Sequence, residues 1–133
     1  MKRTKIKRKS KSETRKIQDE LWQNCRRITK IKYPAPHHCF TCGKEIEKSN
    51  CQLGHFIPSS VGGALLRYNL DNLRLQCYYC NINCGGQGAI FYKNLLAEKG
   101  QKYIDDLFKL IKNKTIKVPD HYYIDLLAKY KNM

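Results

Sequence analysis

Cys39-Phe-Thr-Cys42-Gly43 and Cys77-Tyr-Tyr-Cys80-Asn81 are the two stretches on which the reading of this chain turns. Each sets two thiols across a two-residue spacer, and 34 residues separate the pairs. A spacer of that length lets one tight turn aim both sulfurs at one ion. Two such turns complete a tetrahedron around Zn²⁺, with sulfur at about 2.3 Å. A closed four-thiolate site contributes roughly 10–16 kcal/mol of apparent binding energy at neutral pH, available only to the folded chain. Disulfides are the alternative, but seven cysteines are an odd number and the opening residues do not read as a signal peptide. Cys39, Cys42, Cys77 and Cys80 are therefore the expected structural zinc ligands. Cys25, Cys51 and Cys84 read as reduced thiols, with Cys84 near enough to the second pair to stand as an alternative ligand.

Between the pairs lie Gly54-His55-Phe56-Ile57-Pro58, then Gly62-Gly63, then Asn72-Leu73-Arg74-Leu75-Gln76. A short strand is expected at Cys51–Ile57 and a second running into Cys77. His55 would end the first, ahead of the glycine-bearing loop from Pro58 to Gly63. A solitary histidine is more often a packed structural group than a catalyst. Here the zinc-fixed bracket and the basic chain point to chemistry, since neutral imidazole near pH 7 takes a proton from water. Phosphodiester hydrolysis uses such a base together with a divalent cation. Asn81, held behind the last cysteine, offers an amide oxygen suited to Mg²⁺ or Mn²⁺. Asn72 precedes the second strand and is placed to bond across the loop and hold the backbone near His55. His37 and His38 are weaker candidates, because four thiols already fill the zinc tetrahedron.

The flanks agree with a nucleic-acid protein. The 133 residues suit one compact domain with a tail, and their formal charge of +15 calls for a polyanionic partner, nucleic acid by default. No run of apolar residues is long enough to span a membrane. Residues 1–11, MKRTKIKRKSK, read as a disordered basic arm that neutralises phosphates, with a solubility tail or targeting peptide as the plainer alternatives. Residues 12–36 read as an N-terminal helix and linker. Ser10-Lys-Ser-Glu13 has the form of a capping box, and Ile17, Leu21, Cys25 and Ile28 share a stripe. Tyr33-Pro34-Ala35-Pro36 stops that helix. Arg26 and Arg27 lie off the stripe, either lining DNA or simply solvated. Residues 37–100 form the zinc-bound core, with a helix from Ala89 that Gly100 ends. Residues 101–133 carry helices at Gln101–Asn113 and from Asp120 to Tyr130, joined by a connector at Thr115–Val118. Tyr78 and Tyr79 either stack on unpaired bases or pack on the zinc site.

His55, Asn72 and Asn81 within paired cysteine knuckles resemble the HNH (ββα-metal) nucleases. More narrowly, Gly54-His55-Phe56, Leu66-Arg67-Tyr68-Asn69, Asn72, Gln76-Cys77-x-x-Cys80-Asn81 and Gly85-Gly86-x-Gly88-x-x-x-Tyr92 look like the phage NinG (Rap) recombination family, over roughly Leu21 to Leu107. The resemblance implies an α+β fold. Its zinc-bound ββα-metal core would be flanked by an N-terminal helix and two or three C-terminal helices. It also implies one catalytic divalent metal and a structure-specific endonuclease that cuts branched recombination intermediates, such as Holliday junctions and D-loops, in the host cytoplasm. DNA would be the partner, with a second copy favoured by symmetric cutting.

Two departures stand out. Many HNH enzymes carry Asp or Glu directly before the histidine as a metal ligand, and this chain has Gly54. The second protein ligand is thus open, with Asp71 and Glu47 as candidates. The family pattern also often has histidine two places after the middle asparagine, where Arg74 stands here. Arg74 and Arg67 are candidate phosphate contacts, because a guanidinium matches phosphate bidentately; surface charge is the alternative for both. The rival functions are a non-catalytic zinc module regulating nucleic acid, an HNH homing or restriction enzyme cutting linear duplex, and an assembly factor.

Overall fold

The computed structural model of the chain describes residues 2–113 and 118–133, with side chains from residue 13 to 111 and from 118 onward. The expected connector at Thr115–Val118 falls largely outside those residues. Two compact units emerge, Met1–Ile28 with Val118–Met133, and Thr29–Lys117.

Helix α1 runs Lys2–Lys32 and begins in the first unit. Residues 2–11 are helical, where an irregular arm and a start near Ser10 are the sequence expectation. The cause is local. No glycine or proline occurs before Pro34, and lysine and arginine are good helix formers. In the first unit Leu21, Cys25 and Ile28 of α1 are buried, as are Leu127 and Tyr130 of α6 (Asp120–Lys131). The Arg27 guanidinium donates to the Tyr130 and Met133 carbonyls at 2.8 and 3.0 Å, a cation at the end of α6 where unpaired carbonyls concentrate. Burial pushes the Cys25 thiol up to about 12, so it stays reduced and protonated.

The second unit is built on an antiparallel hairpin of β1 (Cys51–His55) and β2 (Leu73–Cys77). The register pairs Cys51 with Cys77, Gln52 with Gln76, Gly54 with Arg74 and His55 with Leu73. Every β2 residue is buried, so both faces of that strand are covered. A lone hairpin is marginal in water; this one gains an extra backbone bond from Phe40 N–H to Leu75 O at 2.8 Å. The loop after β1 holds two short helices, α2 (Ser59–Gly62) and α3 (Ala64–Arg67). After β2 comes a wide turn at Tyr79–Asn83, then α4 (Gly88–Lys99) and α5 (Gln101–Lys109). Gly100 divides the last two with φ +88°, a conformation that a side chain would strain. Ile57, Leu66, Phe91, Leu95, Ile104 and Leu107 form the core, with Phe40 and Phe56 packed against Phe91. The order is therefore strand, strand, helix in an α+β architecture. β1 is two residues shorter than expected because Ile57 is bonded to a side chain rather than to a strand.

Candidate functional site

The two knuckles close as their spacing predicts. In the first, Gly43 N–H donates to Cys39 O at 2.9 Å, with φ +76° at Gly43. In the second, Cys80 N–H points at Cys77 Sγ at 3.5 Å. All four Sγ atoms lie within 4.8 Å of one another, and Cys42 and Cys77 are 3.9 Å apart. Ligands at about 2.3 Å in a tetrahedron stand roughly 3.8 Å apart, so the set needs little adjustment to take Zn²⁺. Burial raises the Cys39 thiol, but the backbone of Cys42 and the Thr41 hydroxyl outweigh it and bring it down to about 6. Burial pushes Cys80 up to about 12. The Cys39 thiolate forms readily, and Cys42 and Cys80 resist further negative charge until a cation joins them. Four soft sulfur donors at these separations fit a structural metal such as zinc. Among the described residues this is the one such group of three or more His, Cys, Asp or Glu. Cys84 stands outside it, as do His37, whose Nδ1 donates to Tyr33 O at 2.9 Å, and His38, which bridges to Glu45.

His55 ends β1. Its Nε2 lies 2.9 Å from the Arg67 carbonyl, which can only accept, so Nε2 carries the proton and Nδ1 is the acceptor nitrogen. Burial lowers its pKa from 6.5, the Arg67 carbonyl opposes that, and the Arg67 charge adds to the lowering. The imidazole is neutral at pH 7. Arg67 itself is exposed, its guanidinium 5.7 Å from the Tyr68 ring centroid.

Asn72 is wholly buried. Its Oδ1 accepts from Ile57 N–H at 2.8 Å, and its Nδ2 donates to Ile57 O at 2.9 Å and Leu66 O at 3.1 Å. Its own carbonyl accepts from Phe56 N–H at 2.9 Å. One carboxamide thus ties the chain just past His55 to the end of α3, whose last residue, Arg67, orients the imidazole.

Asn81 lies elsewhere on the hairpin. Its Nδ2 donates to Gln52 Oε1 at 2.8 Å, three residues before His55 and so roughly 10 Å back along the strand. Strand alternation sets Gln52 and His55 on opposite faces. Hydrogen bonds join Asn72 to the His55 loop and Asn81 to Gln52. Asp71 lies two residues before Leu73, at the His55 end of the hairpin, and Glu47 precedes Cys51 at the other end, so the candidate second ligands are divided between the two ends. The donors of a hard-cation site around Asn81 are therefore not assembled among the described residues.

Two side chains differ from their expected roles. Arg74 is not a surface phosphate contact, being 3 % exposed. Nε and Nη2 donate to Glu98 Oε1 at 3.3 and 3.0 Å, Nη2 also to Tyr103 Oη at 3.1 Å, and Nη1 to the Asp71 and Leu73 carbonyls. All five donors are spent, with the rings of Tyr33, Phe40 and Tyr103 around the guanidinium. The cause is the register: position 74 faces Glu98 of α4, not solvent. Arg27 likewise gives its guanidinium to α6 and to Asn24 Oδ1. Arg26 is half-buried. Tyr78 and Tyr79 are exposed.

Gln76 and Thr41 carry weight that sequence reasoning did not assign. Gln76 Nε2 donates to Thr41 Oγ1 at 3.1 Å and to Gly86 O at 2.9 Å, and Thr41 Oγ1 is 3.3 Å from Cys39 Sγ. Gln76 Oε1 occupies the space that a Cβ at position 54 would need. Glycine before His55 is therefore a packing requirement of this chain, because the space is filled by Gln76. A polar residue midway along a strand buried on both faces was the available signal.

The fold and the site define a small α+β protein with a hairpin bracketed by four clustered cysteines that could hold a structural metal such as zinc. The family described as Bacteriophage Lambda NinG protein matches residues 1–133, and the chain belongs to it. No curated protein and no solved structure matches the chain. Among the described residues no helix is long and apolar enough to cross a membrane.

Proposed function

We propose that this chain is a metal-dependent endonuclease of phage recombination, of the HNH type, acting on branched DNA. The observation that carries the reading is the His55 imidazole: a neutral ring at a strand end, its Nε2–H held by the Arg67 carbonyl, which makes Nδ1 the basic nitrogen. In the proposed step Nδ1 takes a proton from the water whose oxygen attacks phosphorus, the ring becomes imidazolium, and the bond from phosphorus to the leaving oxygen breaks, that oxygen taking a proton from solvent. The exposed Arg67 guanidinium neutralises the phosphate next to that ring. Asn72 acts indirectly, fixing the loop that carries both groups. Mg²⁺ or Mn²⁺ would supply Lewis-acid stabilisation of charge on the phosphate and the leaving oxygen. Zinc on Cys39, Cys42, Cys77 and Cys80 holds the hairpin and takes no part in the reaction. The net charge of +15 and the family of a phage protein support DNA as partner.

The test incubates the protein and His55→Ala with a four-way junction, a D-loop and a linear duplex, each with Mg²⁺, Mn²⁺ or EDTA. Cleavage of the branched substrates that needs the cation and drops about 10²-fold or more in His55→Ala is expected. Equal cleavage by both proteins removes His55 as the base. Cutting confined to linear duplex removes the recombination role, and tight binding without any cutting favours the non-catalytic zinc module.

A further inference from the structure

A cleft of about 490 Å³ opens in the second unit between the end of α1 and the end of α4, lined by residues that the proposed reaction does not use. Its volume falls within the roughly 300–1,000 Å³ of sites that take one small molecule. The rings of Tyr33 and Tyr103 line it, and the Arg74–Glu98 pair forms part of its wall. That pair cancels its own charge. Lys32 and Lys99 remain, both exposed, against one exposed carboxylate, Asp71. Lys99 Nζ stands 5.9 Å from the Tyr103 ring centroid, so one cation sits beside one aromatic face.

The two phenols are fixed in direction. Tyr33 Oη donates to Glu98 Oε1 at 2.7 Å, and Tyr103 Oη donates to Asp71 O at 2.7 Å while accepting from Arg74. Burial, with Glu98 adding to it at Tyr33, raises both phenols, so the rings stay neutral and hydrogen-bonded. Aromatic walls held by hydrogen bonds, with two exposed lysines in the lining, suit a flat ring joined to a phosphate. A paired base cannot present its face to such a cleft, because its neighbours in the stack cover it.

We infer that the Tyr33–Tyr103 cleft receives one unpaired nucleotide, its base against the two rings and its phosphate on Lys32 and Lys99. Leu73, opposite His55 in the hairpin register, also lines the cleft, so the cleft and His55 share one end of the hairpin. Branched DNA is where unpaired nucleotides lie next to duplex. The inference rests on nucleic acid being the partner, but not on cleavage.

The test uses the whole zinc-loaded chain in EDTA-free buffer without Mg²⁺ or Mn²⁺. The probes are a duplex carrying one bulged 2-aminopurine and the same duplex with that base paired. Stacking on tyrosine quenches the bulged base, and a saturable quench is expected with the bulge alone. Lys32→Ala with Lys99→Ala should weaken bulge binding about tenfold while changing binding to the paired duplex less than threefold. Lys102→Ala with Lys109→Ala removes two exposed cations that face Asp106 outside the cleft, and should affect both probes alike. Near-identical far-ultraviolet spectra confirm that both double variants fold. No quench of the bulged base, or an unchanged bulge-to-duplex ratio in the cleft variant, overturns the inference. His55→Ala should keep the full bulge preference, so loss of cutting and loss of nucleotide capture are separable.

Discussion

A methyl group at position 54 would overlap Gln76 Oε1 and stand 2.7 Å from its carbonyl carbon. Gln76 has no exposed surface into which to move, and its Nε2 is bound to Thr41 and Gly86. Gly54→Ala should therefore displace that amide and unfold the zinc-loaded protein at lower denaturant. Each buried group left unpaired costs about 1–3 kcal/mol. Gln76→Ala is itself destabilising, but on that background Gly54→Ala should add little. Additive losses in denaturant titrations of the four proteins would show that the contact does not matter. At His55 the sign of the pH effect follows from burial. Its folded pKa lies below 6.5, so below that value the unfolded chain binds more protons than the folded one. Stability from this group is present above 6.5 and is lost as pH falls through the folded value. Imidazole ¹H–¹⁵N spectra should show the Nε2–H tautomer at pH 7 and a midpoint below 6.5. A midpoint at or above 6.5 contradicts the buried, Arg67-adjacent ring. Arg67→Ala should raise the midpoint, because the Arg67 charge is one of the terms lowering it.

The hairpin depends on the knuckles at one flank and on α4 at the other. Removing the metal should release both: the protein as isolated should carry one zinc per chain by mass spectrometry, and chelation should lower the melting temperature sharply. Unchanged melting after verified removal would deny the metal a structural part, since four-thiolate zinc contributes roughly 10–16 kcal/mol to folding. On the opposite flank, Arg74→Ala leaves the Glu98 carboxylate without its cation, with Tyr33 Oη as its remaining hydrogen-bond donor. A loss of about 3–5 kcal/mol is expected, with DNA affinity unchanged where the variant is folded. Weaker DNA binding at full stability would return Arg74 to the phosphate. These two elements also show what the sequence could reveal. The knuckles, Gly100 and the helices around Phe91 and Ile104 were readable because each is set by spacing within a few residues. The fate of Arg74 was not, because it depends on Glu98 and Tyr103 arriving from distant positions. Arg27 eluded the same reading for the same reason. Residue 74 lies one place from Leu73 and Leu75, and no local pattern says that a charged side chain between them turns inward. Asn81 was readable as a fixed amide beside the last cysteine, but its partner Gln52 depends on the strand register.

Charge is spread unevenly over the whole chain, with 13 of 26 lysines and arginines in Met1–Lys32 against three acids. Seven of them fall within the first eleven residues: Arg3, Arg8 and the five lysines Lys2, Lys5, Lys7, Lys9 and Lys11. Binding to DNA releases about 0.9 of a counterion for every phosphate neutralised, so the logarithm of affinity falls linearly with the logarithm of salt. Replacing those five lysines by glutamine should flatten that slope by as much as about 4 if all five meet phosphates, and by nearly nothing if they serve only solubility. Glutamine keeps the helix propensity of lysine, so the backbone of α1 is little disturbed. The same substitution should lower the affinity for junction and linear duplex by similar factors, because a phosphate contact carries no information about branching. The cleft of Tyr33 and Tyr103 is placed instead to respond to unpaired bases, and its effect on branch preference should survive salt concentrations that abolish the contribution of the first eleven residues. Measured together, the slope with the five lysines replaced and the bulge-to-duplex ratio with Lys32 and Lys99 replaced divide recognition into its electrostatic and shape-dependent parts. A slope unchanged by the five substitutions would move phosphate binding to the second unit, leaving Arg67 and the lysines of α4 and α5 to supply it.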